Sequence, residues 1–415
     1  MGVTRHGKLA CRIMGLALLA LAAGMVRADD GAGSDNPYLD AMQPLIDGRY
    51  EEAGEALRRL VAREPEHAGA WLDLAILQCG LGNASEAELL FDAIEARFDP
   101  PPGIREIIAL QRAKGCHGPS AHWEGRLKLG RGSDSNANQG ASNPNFSIGQ
   151  GSSVLNLVLS PEFTPHRDRF NQITLDGAVS GLGNGWQGYA QLQSRRYDTQ
   201  RRYDSESALL GAERPWRLGR WDARLGASVG LTRLGGESYQ RYATISGWLA
   251  PPLALPTGWQ LGWLNSFSHV VYPSRSHFDA SLWESRAVLS LQHGPLWVQG
   301  SAGYGLDVGS HERAGGDRHG VFASLNARAL LGGGWLGELS WQYQNWAGAQ
   351  AYSPGLIDVA RRQHTQLTRA TLWYELTKQQ ALYLEYRGVR NRENISLFEY
   401  QSRAWQLGWQ WQFGR

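Results

Sequence analysis

Along the last three hundred residues of the chain, apolar and polar positions alternate with a period of two, whereas before about residue 120 the apolar positions recur at helical spacing. In RWDARLGASVGLTRL, Trp221, Ala223, Leu225, Ala227, Val229 and Leu231 share one face of an extended strand. Trp259, Leu261 and Trp263 open another such face, and Leu296, Val298, Ala302, Tyr304 and Leu306 form a third. Near the end, Trp405, Leu407, Trp409, Trp411 and Phe413 alternate with Ala404, Gln406, Gly408, Gln410 and Gln412. Runs of about 10 to 12 residues have the length a tilted strand needs to cross a bilayer. A soluble β domain also alternates, but it does not usually gather so many Trp and Tyr on the face away from the polar residues. The pattern therefore predicts a transmembrane antiparallel barrel, its aromatic face toward lipid and its Gln, Ser, Arg, Gly and Asp face toward a wet lumen.

Strand starts are predicted near residues 151, 170, 186, 203, 221, 240, 259, 281, 296, 320, 335, 366, 380 and 402, giving a barrel of about 14 strands. The segment HWEGRLKLG, residues 122–130, reads as one more. An odd total would leave the two chain ends on opposite sides of the membrane, so one of these segments does not span. Short turns at residues 332–334 and 377–380 alternate with longer polar stretches around 307–319, 347–365 and 390–401, as in outer-membrane barrels.

The helical part carries a repeat. Gly48, Tyr50, Ala53, Leu57, Leu60 and Pro65 match the second half of a tetratricopeptide repeat, and Gly82, Ala87, Phe91 and Ile94 follow the same spacing. Gly48 and Gly82 stand 34 residues apart, the period of that repeat. Trp71, Leu74 and Ala75 fill a first helix, while Pro65 and Pro100 stop the second helix of each unit. Residues 36–47 are a weak first helix, and residues 103–113 read as a capping helix. An ordinary helical hairpin domain is the plainer reading; a groove that binds protein is the functional one.

Composition refines this picture. Arg5, His6, Lys8 and Arg12 precede the apolar run IMGLALLALAAGM, which predicts a secretory signal peptide cleaved after Ala28. A lipobox reading of Cys11 puts the cysteine before the apolar segment instead of after it. No later run is long and apolar enough for a transmembrane helix. The domains expected are thus a signal at 1–28, a periplasmic helical-repeat domain at 35–115 and an outer-membrane barrel at 121–415. The mature chain keeps Cys79 and Cys116, either bridged or as two buried thiols. A net charge of +2 gives no nucleic-acid footprint, and no cofactor or metal set is expected.

The stretch RGSDSNANQGA, residues 131–141, resembles the start of a calcium loop. With Asp134 at position 1, however, Gln139 falls where the turn glycine belongs and Asn145 where the bidentate Glu belongs. Its Asp, Ser and Asn side chains suit a tight polar segment that bonds to its own backbone. The alternative is direct contact with a transported client.

Taken in order, a signal, helical repeats, HWEGRLKLGRGSDSNANQG and a barrel resemble the surface lipoprotein assembly modulators, called Slam. The match lies in architecture and in Asp134, Ser135, Asn136 and Asn138, a D-S-N-x-N segment at the barrel start. The helical domain here is short, and the chain ends Phe413-Gly414-Arg415, not on the aromatic itself. The resemblance implies export of surface lipoproteins or soluble secreted proteins through or alongside the barrel, the helical groove holding the client. Outer-membrane lipid and the barrel-assembly machinery are the other expected partners. No nucleotide motif supplies energy, which leaves client folding outside the cell.

Polysaccharide export is the competing class, since exopolysaccharide exporters join helical repeats to a barrel, though with many more repeats. Arg195, Arg196, Arg201 and Arg202 are either a charged lumen patch for such a polymer or a solvated loop cluster. An enzyme barrel needs a nucleophile, a base and an orienting group together. Ser276 with His277, and His311, Glu312, Asp317 and His319, are the nearest approaches, and neither has a catalytic spacing.

Overall fold

The computed structural model describes residues 37–46, 50–116, 121–149, 154–182 and 185–414. The expected signal peptide, residues 1–28, and Gly48 of the repeat spacing lie outside the described residues. Two compact units divide at Gly118.

The first unit is five helices: α1 (Pro37–Ile46), α2 (Tyr50–Arg63), α3 (Ala68–Gly80), α4 (Ala84–Phe98) and α5 (Pro102–Lys114). Ala53, Leu57, Ala70 and Leu74 bury together where α1, α2 and α3 meet. Ala75, Ala87, Phe91, Ile94 and Ile108 form a second cluster against which Trp71 packs. The small side chains of Ala53 and Ala87, both fully buried, let the helices approach closely enough for the larger ones to interdigitate. Tyr50, at the first residue of α2, is instead 52% exposed.

The helix ends follow the sequence. Helix α2 stops two residues before Pro65, whose carbonyl accepts the indole N–H of Trp71 at 3.0 Å. Gly82 turns the chain out of α3 at φ +85, a left-handed conformation that glycine adopts without strain. The Pro100 carbonyl accepts from Arg105 Nε at 2.9 Å near the start of α5. Arg112 of α5 reaches three carboxylates of α4, Glu88 and Asp92 at 2.7 Å and Glu95 at 2.9 Å. The Tyr38 hydroxyl donates to Asp73, and that bond pushes its pKa up to about 12. A disulfide joins Cys79 of α3 to Cys116, just beyond α5, closing a loop of 37 residues.

The second unit is a closed barrel. Its fourteen strands are β1 (His122–Asp134), β4 (Asp168–Leu182), β5 (Trp186–Tyr197), β6 (Ser205–Leu218), β7 (Trp221–Leu234), β8 (Glu237–Ala250), β9 (Trp259–Val271), β10 (Ala280–His293), β11 (Leu296–Gly309), β12 (Arg318–Gly332), β13 (Trp335–Ser353), β14 (Ile357–Thr377), β15 (Gln380–Glu393) and β16 (Tyr400–Gly414). All pairings are antiparallel, and β1 closes the ring between β4 and β16. Two short strands, β2 (Asn145–Ile148) and β3 (Leu155–Val158), pair with each other outside the barrel.

This arrangement settles the odd strand count. Residues 122–130 do belong to a barrel strand, whereas the strand expected near 151 does not exist in the ring. Leu155 and Leu157 alternate as a barrel strand would, but the run is only four residues long and ends before a 3-10 turn at Pro161–Phe163. The polar stretch expected at 347–365 is likewise not a loop. There β13 and β14 run on as a long hairpin, with only residues 354–356 between them.

Because β1 starts at the rim where β16 ends, the barrel has a proximal rim holding both of its ends and a distal rim opposite. Outgoing strands begin at the proximal rim with Trp123, Trp186, Trp221, Trp259 and Trp335, each between 41% and 45% exposed. Such a girdle suits the polar–apolar boundary of a bilayer, and apolar side chains such as Val229, Ile245 and Leu407 cover the wall above it. Among the described residues no helix is long and apolar enough to cross a membrane.

The closing seam is crowded. A Cβ on Gly125 would stand 2.3 Å from the Phe413 ring, so this glycine seats the terminal aromatic. A Cβ on Gly408 would stand 2.3 Å from the Leu129 carbonyl and 2.4 Å from the Tyr383 ring. Replacing Gly408 with Ala is accordingly expected to cut the yield of closed barrel, read as loss of the heat-modifiable band on a gel. In the helical unit, Ser at Cys79 and Cys116 is expected to lower stability by about 4 kcal/mol, the worth of closing a loop of this size. A denaturant titration of the helical signal with and without reductant measures it.

Candidate functional site

Strand β1 emerges at the distal rim and runs straight into Asp134, Ser135, Asn136 and Asn138. Both Asp134 and Asn136 are almost wholly buried. Asp134 Oδ1 accepts from the backbone N–H of Asn136 at 2.9 Å and from the Ser402 hydroxyl at 2.6 Å, while Oδ2 accepts from the Tyr197 hydroxyl at 3.2 Å. Arg195 stands 3.9 Å from the same oxygen. Asn136 uses its whole amide: Nδ2 donates to the carbonyls of Gly140 and Gln401, both at 2.9 Å, and Oδ1 accepts from Gly140 N–H at 2.8 Å. Ser135 pairs with Arg403 in both directions, its N–H donating at 3.0 Å and its hydroxyl accepting at 2.8 Å. Asn138 ties the far end of the same segment, donating to the Thr164 carbonyl at 2.7 Å and accepting from His166 N–H at 2.9 Å.

These bonds make the D-S-N-x-N segment the root of a cap over the distal mouth. It holds the start of the 135–167 connection against β16 and the end of that connection against itself. The described part of the cap also meets other distal loops: Ser142 N–H donates to the Glu399 carbonyl at 2.8 Å, and Gly149 N–H donates to the Leu356 carbonyl at 2.9 Å. The carboxylate and amide oxygens that a calcium loop would offer are engaged by protein donors instead.

Below the cap lies a lumen cavity of about 630 Å³. Asn136, Asn138 and Gln139 form its outer wall, Tyr197, Tyr383 and Trp373 supply aromatic faces, and Gln172, Gln191 and Gln193 supply amides. Alternation aims the charged residues of the strands inward, where most pair across neighbouring strands. Arg126 meets Asp176 at 3.3 Å, Arg224 meets Glu213 at 3.3 Å, and Arg328 meets Glu338 at 3.6 Å.

The four arginines read as either a lumen patch or a loop cluster divide. Arg195 points into the lumen, donating to Gln172 Oε1 at 3.0 and 2.7 Å and lying 4.2 Å over the Phe170 ring. Arg196 turns the other way, toward Asp204 at 3.3 Å, and Arg201 and Arg202 sit in a 3-10 turn of the distal loop. Ser276 and His277 fall in a similar turn, where His277 leans on Phe278. Asp317 accepts from Gly309 N–H at 2.9 Å, and His319 lies beside Tyr304, 6.5 Å between ring centres. Neither set forms a hydrogen-bonded nucleophile and base.

A second distal network was not anticipated. Asn391, buried like Asn136, accepts from Thr365 Oγ1 at 2.6 Å and donates to the Phe398 carbonyl at 2.8 Å; Arg361 grips Glu393 with bonds of 2.9 and 2.6 Å. A repeated loop shape surrounds it. Three distal loops each contain a 3-10 turn ending on an aromatic and followed by an acid: Tyr203 and Asp204, Phe278 and Asp279, Phe398 and Glu399. In two of them the acid accepts from the N–H of a tyrosine seven residues earlier, Tyr197 and Tyr272, at 2.7 Å. The strings YDTQRRYD and YPSRSHFD carry that signal in the sequence.

Residues 45–109 match the family model described as tetratricopeptide repeat. No curated protein matches the chain significantly in sequence. Among solved structures, the barrel is similar to the outer membrane channel DcaP of Acinetobacter baumannii, with 11% identity, a TM-score of 0.41, and 71% of this chain and 97% of that one covered. It is also similar to an anion-selective porin from Comamonas acidovorans, with 11% identity, a TM-score of 0.37, and coverage of 71% and 99%. The outer membrane protein OprD from Pseudomonas aeruginosa gives 11%, 0.35, and 71% and 94%. Likeness at this level extends to the barrel fold and no further.

Replacing Asp134 with Ala strips the partner from two hydroxyls, a backbone N–H and a largely buried cation, and the expected cost is about 2–4 kcal/mol. Asn136→Ala removes three bonds to backbone and is expected to cost a similar amount. Urea titration of the refolded barrel in detergent checks both; unchanged midpoints would show that the segment does not anchor the cap.

Proposed function

We propose that the chain carries polypeptide clients across the outer membrane to the cell surface, in the way the resemblance to the surface lipoprotein assembly modulators implies. The observation that carries this reading is the joining, in one chain, of a tetratricopeptide-type helical stack to a closed barrel whose D-S-N-x-N segment roots a cap at the distal mouth. Stacked helical repeats offer an extended surface for a peptide or protein partner. A channel for small solutes has no use for one.

An even number of strands returns both ends of the barrel to the proximal rim, and this reading takes that rim as the one facing the periplasm. A client held there reaches the surface in one of two ways. It passes up the lumen once the described part of the cap, residues 135–149 and 154–167, moves aside, or it follows the wall at the β1–β16 seam. The sequence carries no nucleotide-binding motif to drive either route, and in this reading folding of the client outside supplies the direction.

The aromatic and amide lining of the lumen cavity favours a second reading, export of a polysaccharide. Co-expression with the product of a neighbouring gene separates the two. The expected result is protease-accessible client at the surface only when this chain is present, and loss of most of that signal when residues 37–114 are deleted. If a surface polymer depends on the chain and no protein does, the export reading fails.

A further inference from the structure

We infer that the lumen cavity beneath the cap binds oxyanion groups, carboxylates or phosphates, at two places along its wall, Lys128 and Arg387, which lie on the strand rows of Gln410 and Ala404 of β16. Charge in the cavity does not balance. Lys128, Arg195, Arg369 and Arg387 line it against three carboxylates, Asp134, Asp176 and Glu385. Each of those carboxylates has an arginine of its own: Asp134 has Arg195 at 3.9 Å, Glu385 has Arg369 at 3.9 Å, and Asp176 has Arg126 at 3.3 Å. That leaves Lys128 and Arg387 with no carboxylate within 4.0 Å among the described residues.

An uncompensated cation inside a protein is costly, and two of them in one cavity call for a counter-charge. The neighbouring atoms are those that would receive it. Arg387 Nε and the Trp373 indole Nε1 are buried donors with no hydrogen-bond partner, and Gln406 Oε1 is a buried acceptor with none. Lys128 Nζ lies 5.0 Å from the centre of the same Trp373 ring. These side chains come from β14, β15, β16 and β1, four consecutive strands of the wall. Glycine makes the room: Gly130 and Gly408 lie under Tyr383, whose hydroxyl accepts from Gln406 Nε2 at 2.5 Å. Two separated cations, each with unpartnered polar atoms on the same stretch of wall, suit an anion that carries more than one oxyanion group, such as a polycarboxylate or an acidic peptide.

The group can arrive on a free small anion or on the acidic side chains of a polypeptide in the lumen, and the site does not depend on which cargo the barrel moves. The full chain, refolded in detergent, is titrated with citrate, inorganic phosphate and a short polyglutamate peptide, read by tryptophan fluorescence and by calorimetry. Saturable binding is expected, weakened at least about tenfold by Lys128→Gln or Arg387→Gln, since a charge-assisted hydrogen bond is worth that much. Lys128→Arg should keep most of the affinity. Arg328→Gln, a lumen cation already paired with Glu338 and outside this cavity, should leave it unchanged. Binding of citrate or phosphate but not of polyglutamate identifies a free anion as the ligand; tighter binding of polyglutamate identifies an acidic chain. The inference is overturned if none of the three binds, or if the double variant Lys128→Gln, Arg387→Gln binds as the parent does while still showing the heat-modifiable band of a closed barrel.

Discussion

In hydrocarbon a backbone N–H or C=O has no water to bond, so a sheet that crosses a membrane must close on itself. The β1–β16 pairing meets that demand here, running from Glu124 opposite Gly414 to Asp134 opposite Ala404. Much else follows from it. Closure requires close approach at the seam, which is why glycine stands at 125, 130 and 408 beneath Phe413, Tyr383 and Gln406. It also fixes the parity of every strand, and with it the division between a Trp- and Leu-covered outer wall and a charged lumen.

The same seam sets the position of the cap. Because β1 ends at Asp134 beside Ala404, the next residues lie within reach of Gln401, Ser402 and Arg403, and the D-S-N-x-N side chains bond to those neighbours. A segment that is polar in composition is therefore among the most buried parts of the barrel. Burial is affordable because each donor and acceptor of Asn136 finds a backbone partner. Below it the lumen follows the opposite logic. Its carboxylates are paired with arginines, and Lys128 and Arg387 are left without a carboxylate of their own among the described residues.

The helical unit rests on different physics. With no closure to enforce, its stability comes from two apolar clusters, a three-carboxylate grip by Arg112 and the Cys79–Cys116 bridge. That is a modest core, which makes the covalent tie between α3 and the end of α5 a substantial share of what holds the cap of the stack in place.

Period alone determined a great deal: the change from helical spacing to alternation near residue 120 marks the two units, and nearly every barrel strand begins within a few residues of its expected start. Side-chain alternation is a local property, so the sequence carries it openly. Strand count was decided by pairing. His122–Asp134 and the stretch from about residue 151 read alike as strands, and only the presence of β16 and β4 as neighbours makes the first a barrel strand, whereas Leu155–Val158 pairs with Asn145–Ile148 outside the ring. The Asp134 segment was legible as a tight polar turn, but its partners at 401–403 lie more than 260 residues away in the chain. Arg195 could not be told from Arg196 by composition, although one faces the lumen and the other the loop. Sequence by itself gave each residue its face; only the closed ring decided which faces meet across it, because register and inward charge balance exist only once all fourteen strands are joined.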